Sequence, residues 1–67
     1  MDIKGRVGET AGKVWHLLNS HGPHTLAQMK KNLDVPNELL SFAVGWLARE
    51  DKVNITQEKK SFLIQLK

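Results

Sequence analysis

Five apolar residues in the first third of the chain predict an amphipathic helix. They recur at the i, i+4, i+7, i+8, i+11 spacing that places side chains on one helix face: Val7, Ala11, Val14, Trp15 and Leu18. Gly22 and Pro23 predict the end of this helix, because glycine adopts the left-handed conformation after the last turn and proline cannot continue a helix. Where the helix begins stays open, since three early glycines lower helix propensity: Gly5, Gly8 and Gly12.

A second, short helix is predicted to begin at Thr25. Thr25 and Gln28 have the spacing of a capping box, in which each residue's side chain accepts a hydrogen bond from the backbone of the other. An apolar stripe of about two turns follows, made of Leu26, Met29 and Leu33. Only a few residues then remain before the next helix, so the two helices must cross sharply, as in a helix-turn-helix.

The third helix is predicted to begin around Pro36, which suits a first turn because the missing N–H of proline is not needed there. One broad sector of this helix is apolar: Leu39, Leu40, Ala43, Val44, Trp46 and Leu47. The opposite sector holds Asn37, Glu38, Ser41, Gly45, Ala48 and Arg49, with Phe42 on its margin. We expect Trp15 and Trp46 to be core residues, because aromatic residues on apolar helical stripes usually are.

The C-terminal part of the chain changes from a helical to an alternating pattern. Alternate positions are apolar on both sides of a polar turn at Glu58–Lys60: Val53 and Ile55 before it, and Phe62, Ile64 and Leu66 after it. This pattern predicts an antiparallel hairpin, whose apolar face must pack on the helices because an isolated hairpin is only marginally stable. His24 and Thr25 can supply a short third strand.

The order of these elements is that of a winged helix-turn-helix. We therefore expect an α+β, mainly helical fold with three helices and a C-terminal β-hairpin wing. With 67 residues there is room for one domain, which we place over residues 1–67.

Three stretches of the chain resemble a family of small prokaryotic winged helix-turn-helix proteins catalogued as a domain of unknown function. They are Ala11–Asn19 (AGKVWHLLN), Leu26–Lys31 (LAQMKK) and Gly45–Glu50 (GWLARE). The resemblance extends from about Val7 to Leu66 and implies the same fold, with DNA binding by analogy and no catalytic residue or assigned ligand. One departure is Asp51, where members of that family tend to carry glycine, and it affects the turn into the wing.

Composition narrows the class of protein. The net charge is +3 and there is no cysteine, so disulfides and thiolate metal sites are excluded. A mild excess of cations is compatible both with nucleic-acid binding and with an ordinary solvated surface. No apolar run is long enough to cross a bilayer and no signal peptide is visible, so we expect no membrane partner and a cytoplasmic location.

Double-stranded DNA is the first predicted partner, with transcriptional regulation as the corresponding role. The third helix of a helix-turn-helix enters the major groove, and lysines on neighbouring elements contact phosphates. The candidate DNA contacts are Lys30, Lys31, Asn37, Ser41, Arg49, Lys59 and Lys60. Only Asn37 and Ser41 are candidates for base readout, so few side chains would select a sequence. The lysines would mainly position the protein on the phosphates.

Protein association, as a homodimer or with another chain, is the alternative that the residues leave open. Small residues on the outward faces of the first and third helices let another backbone approach, and Phe42 supplies an apolar anchor. The candidate interaction residues are Gly8, Gly12, Phe42 and Gly45.

Catalysis and metal binding are not expected. The chain contains no nucleophile or phosphate-loop motif, and a chain this short has little room for a substrate pocket. Three histidines lie around the end of the first helix without a carboxylate or cysteine at ligand spacing: His16, His21 and His24. We therefore predict no enzyme activity, no metal, no cofactor and no small-molecule substrate.

Overall fold

The computed structural model describes residues 2–67, which form three helices and one three-stranded sheet. The elements are α1 (Ile3–His21), β1 (His24–Thr25), α2 (Leu26–Asn32), α3 (Asn37–Arg49), β2 (Val53–Glu58) and β3 (Ser61–Leu66). The sheet is antiparallel in the order β1-β3-β2. This architecture confirms the predicted winged helix-turn-helix fold, including the short third strand. Within residues 2–67 no helix combines the length and apolar character that a membrane span requires.

The ends of α1 and α2 follow from local chemistry. The N–H of Gly22 donates to the carbonyl of Leu18 at 2.9 Å. Gly22 has φ 81° and ψ −168°. Its φ is positive as expected, but its ψ lies outside the left-handed helical region, in an area that is essentially restricted to glycine. The capping box of α2 is confirmed, because Thr25 Oγ1 accepts from the Gln28 N–H at 3.1 Å and Gln28 Oε1 accepts from the Thr25 N–H at 2.9 Å.

All three helices and the sheet contribute to one hydrophobic core. Its buried members are Ala11, Val14 and Leu18 of α1, Met29 of α2, Leu40, Ala43, Val44 and Leu47 of α3, Val53 of β2, and Ile64 of β3. Pro36 is the N-cap residue of α3 and not its first helical residue, a shift of one position from the prediction.

The placement of both tryptophans in the core was wrong. Trp15 retains 36% of its accessible surface and Trp46 retains 52%. Each lies at the edge of its apolar stripe, about 100° around the helix from a buried neighbour, Val14 or Leu47. The core is filled by smaller aliphatic side chains, so the indoles extend over its rim.

The wing packs on the helices only at its base. Val53 pairs with Leu66 and Ile55 with Ile64, so the members of each pair share a face of the sheet. Val53 and Ile64 are buried, whereas Ile55 and Phe62, nearer the tip, remain nearly half exposed. The expectation that the whole apolar face of the hairpin packs on the helices is therefore wrong for its outer half, where Ile55 and Phe62 stay exposed.

Asp51 occupies the turn that connects α3 to the wing. Its φ is 62°, in the left-handed region. The Asp51 N–H donates to the Ala48 carbonyl at 3.0 Å and the Lys52 N–H donates to the Leu47 carbonyl at 2.9 Å. These two bonds form a Schellman motif with Asp51 at the position where glycine is preferred. The positive φ at this position explains why members of the resembling family tend to carry glycine there. In this chain the turn forms with aspartate instead.

The strain at this turn is measurable. We expect the Asp51→Ala variant to be about 1 kcal/mol less stable than the Asp51→Gly variant, because only glycine adopts a positive φ without steric cost. Both variants lose the ion pair between Asp51 and Lys67, so that contact cancels in the comparison. Urea denaturation of the two variants gives the difference. Equal stability, or a more stable alanine variant, would contradict the assignment of strain to Asp51.

Candidate nucleic-acid interface

A four-residue link connects the two helices of the helix-turn-helix. The Leu33 N–H donates to the Met29 carbonyl at 2.8 Å and closes α2. The Leu40 N–H donates to the Pro36 carbonyl at 3.0 Å and begins the hydrogen-bonding ladder of α3. Met29 and Leu40 are both fully buried in the core. Because both helices are fixed on this core, the opposite side of α3 is presented to solvent in a defined orientation.

The exposed side of α3 has two flanks of different chemistry. Asn37 and Ser41 form a polar flank near the N-terminus of the helix, and both are exposed. Phe42 and Trp46 form an aromatic flank that faces α1. Since successive residues are about 100° apart around a helix, Trp46 lies roughly 140° from Ser41. The polar flank and the aromatic flank can therefore contact different partners at the same time.

Arg49 is separated from the two candidate base-reading residues. It is the last residue of α3, and Asn37 is the first. At 1.5 Å per residue these positions lie about 18 Å apart along the helix axis. When the N-terminal part of a recognition helix reads bases, a residue this far along the helix reaches the backbone, so Arg49 fits a phosphate contact and not base readout.

Two pairs of exposed lysines lie outside α3. Lys30 and Lys31 are in the last turn of α2, and Lys59 and Lys60 form the tip of the wing between β2 and β3. Within residues 2–67 none of these four ammonium groups takes part in an ion pair or a side-chain hydrogen bond. They are therefore available to contact phosphates, and the seven predicted DNA contacts are spread over α2, α3 and the wing.

An exposed apolar surface lies between α1 and α3, and the sequence predicted only one of its large side chains, that of Phe42. Ile3, Trp15, Phe42 and Trp46 define it, and we call it the aromatic surface. Trp46 lines one cavity of about 280 Å³ with Ile3 and a second of about 280 Å³ with Trp15. Phe42 and Ile3 share a third cavity of about 250 Å³. These shared linings make the four side chains one continuous surface.

The predicted interaction residues are only partly brought together. Gly8 lines both cavities that Trp46 shares with α1, and Gly12 lines one of them. Phe42 belongs to the aromatic surface, whereas Gly45 lines none of these cavities. A β-carbon added at Gly8 or Gly12 would meet no heavy atom within 4 Å, so both glycines border open space.

The histidines do not form a cluster. Within the part of the chain that the structure describes, no group of three histidine, cysteine, aspartate or glutamate side chains is arranged to hold a metal ion. His24 Nδ1 lies 2.8 Å from the Gly22 carbonyl oxygen, a local contact between β1 and the residue that ends α1. The geometry thus gives this histidine a structural partner.

Comparisons with known proteins agree with this geometry. A family model described as "Winged helix-turn-helix domain (DUF2582)" matches residues 1–66. The chain is also similar to "Uncharacterized protein MJ1608" of Methanocaldococcus jannaschii, at 42% identity over 69 residues that cover 98% of this chain and 97% of that protein. Both matches extend over nearly the whole chain, which confirms the resemblance drawn from the residues.

Proposed function

The chain belongs to the winged helix-turn-helix family DUF2582, and from this membership we propose that it binds double-stranded DNA and acts by binding alone, without catalysis. The observation that carries the proposal is the set of unpaired lysines on both neighbours of α3. Lys30 and Lys31 extend from the helix before it, and Lys59 and Lys60 from the wing after it. This arrangement suits a protein that places α3 in the major groove and holds the phosphates on either side.

Base readout in the proposed complex is weak. Asn37 can pair with adenine in the major groove, and Ser41 one turn later can donate to or accept from several bases. Glu38 is also exposed, about 100° around the helix from Asn37 and on the side of Phe42, and is repelled by phosphates unless it accepts from a cytosine amino group. The interface therefore has two neutral residues that can read bases and four lysines that can contact phosphates. This ratio favours a DNA-binding regulator with a modest sequence preference.

Salt dependence provides the test of this proposal. We expect a fluorescein-labelled random duplex to bind at low salt and the affinity to fall roughly five-hundredfold between about 50 and 200 mM KCl. This corresponds to a logarithmic slope of about −4.5, because the four lysines and Arg49 each neutralise a phosphate and each release close to one counterion. Fluorescence anisotropy at a series of salt concentrations gives the slope directly. Absence of binding at the lowest salt, or an affinity that does not change with salt, would overturn the proposal.

A further inference from the structure

We propose that a second copy of this chain covers the aromatic surface, so that the protein forms a two-fold symmetric dimer through α1 and α3. Four of the six large apolar side chains that the described residues expose belong to this surface, and the other two, Ile55 and Phe62, are in the wing. The proposal goes beyond DNA binding and does not depend on it, because the residues that carry it are not the predicted DNA contacts.

The size of the aromatic surface supports a protein partner. Its four side chains are between a third and a little over half exposed, and together they present on the order of 400 Å² of apolar surface. Each partner in a stable complex contributes about 800 Å², of which the core is apolar and the rim polar. The aromatic surface supplies the apolar core of such an interface, and the backbone at Gly8 and Gly12 with the surrounding polar residues supplies the rest.

The shape of the aromatic surface is complementary to itself. In a two-fold interface the same patch meets its own copy, so it must carry both the projecting and the receiving features. Trp15 projects from α1, and the open space at Gly8 lies seven residues earlier, about two turns along the same helix. When two copies of α1 pack antiparallel about an axis between residues 11 and 12, Trp15 of each copy lies opposite Gly8 of the other.

The charges around the aromatic surface favour a second copy over a nucleic acid. Arg6 and Glu38 line the cavity beside Phe42, at one end of the surface. Asp51 and Lys67 form an ion pair in the cavity beside Trp15, at the other end. Each end therefore carries both signs. A rim of this kind can be matched by its own copy across a two-fold axis, whereas carboxylates at both ends oppose a run of phosphates.

Sedimentation equilibrium from about 1 µM to about 1 mM protein tests the dimer over the range of weak to moderate affinities. We expect the wild-type mass to rise with concentration to twice that of the monomer. Trp46→Glu places a charge in the apolar centre and is expected to weaken dimerisation roughly thirtyfold or more. Gly8→Gln fills the open space that the partner needs while improving helix propensity, so it should weaken the dimer and leave the monomer folded.

Phe62→Glu is the matched control. Phe62 retains 44% of its accessible surface, an exposed fraction similar to the 52% of Trp46, but it lies on the wing. We expect the dimer affinity of Phe62→Glu to stay within about threefold of wild type, because Phe62 lies outside the proposed interface. A wild-type protein that stays monomeric throughout, or equal weakening by Trp46→Glu and Phe62→Glu, would overturn the proposal. Quenching of tryptophan fluorescence by single-stranded DNA without any change in protein mass would do so as well, because it would assign the surface to base stacking.

Discussion

Replacing Leu40 with alanine is expected to remove a large share of the protein's free energy of unfolding. Leu40 is fully buried and is packed within the part of the core to which all three helices and the sheet contribute. Removing a leucine side chain at such a site costs about 2–5 kcal/mol, because transfer energy is lost and a cavity remains. The total stability of a chain of this length is roughly 3–10 kcal/mol. At the middle of both ranges, this single truncation removes about half of the total stability.

Thermal unfolding followed by circular dichroism measures this loss. We expect the melting temperature of the Leu40→Ala variant to fall by roughly 10–30 °C. Ile55→Ala is the control, because it also truncates an aliphatic side chain but at a position that is nearly half exposed on the wing. Its cost is expected to be about 1 kcal/mol or less. Similar melting temperatures for the two variants would show that the core is not centred on Leu40.

Local chemistry explains why the elements were predictable from the sequence. Thr25 and Gln28 form the capping box that their spacing predicts, and Gly22 ends α1 with a positive φ. The alternation of apolar residues predicted both strands of the wing, although Glu58, which was placed in the turn, is the last residue of β2 and pairs with Ser61. Each of these features depends on residues within one turn or one hairpin, so a single sequence contains the information that they need.

The exposure of Trp15, Trp46 and Phe62 was not predictable in the same way. A helical or alternating pattern predicts which face of its element a side chain lies on. It does not predict whether a neighbouring element is long enough to cover that side chain. Trp46 lines two open cavities with residues of α1 and remains half exposed, and Phe62 keeps 44% of its accessible surface. Because both outcomes depend on the lengths of elements distant in sequence, the aromatic surface became visible only in the fold.

The candidate DNA contacts were predictable as positions on elements but not as a surface. The sequence places Lys30 and Lys31 on the second helix and Lys59 and Lys60 in the turn of the hairpin, where the structure also has them. Whether all four reach the same duplex depends on the angle between the wing and α3, which no local pattern encodes.

Replacing these four lysines with glutamine is expected to weaken binding to duplex DNA by roughly a hundredfold or more and to move the logarithmic salt slope from about −4.5 to about −1, the share of Arg49. Glutamine keeps the length and helix propensity of lysine but removes its charge. The chain has eight lysines, and the other four are Lys4, Lys13, Lys52 and Lys67. Either set of four replacements lowers the net charge from +3 to −1, so the two variants have equal net charge and differ in where the charge is lost. The second set also removes the exposed ion pair between Lys67 and Asp51.

Comparing these two variants distinguishes a specific DNA-binding surface from a general effect of net charge. If DNA contacts α2, α3 and the wing, the variant that lacks Lys30, Lys31, Lys59 and Lys60 loses most of its counterion release, while the other variant keeps a slope near that of the wild type. Since α2 loses two cations from its last turn, thermal melts of both variants must show that the fold is retained. Equal losses of affinity in the two variants would mean that binding follows net charge alone, and the proposed interface would then be wrong.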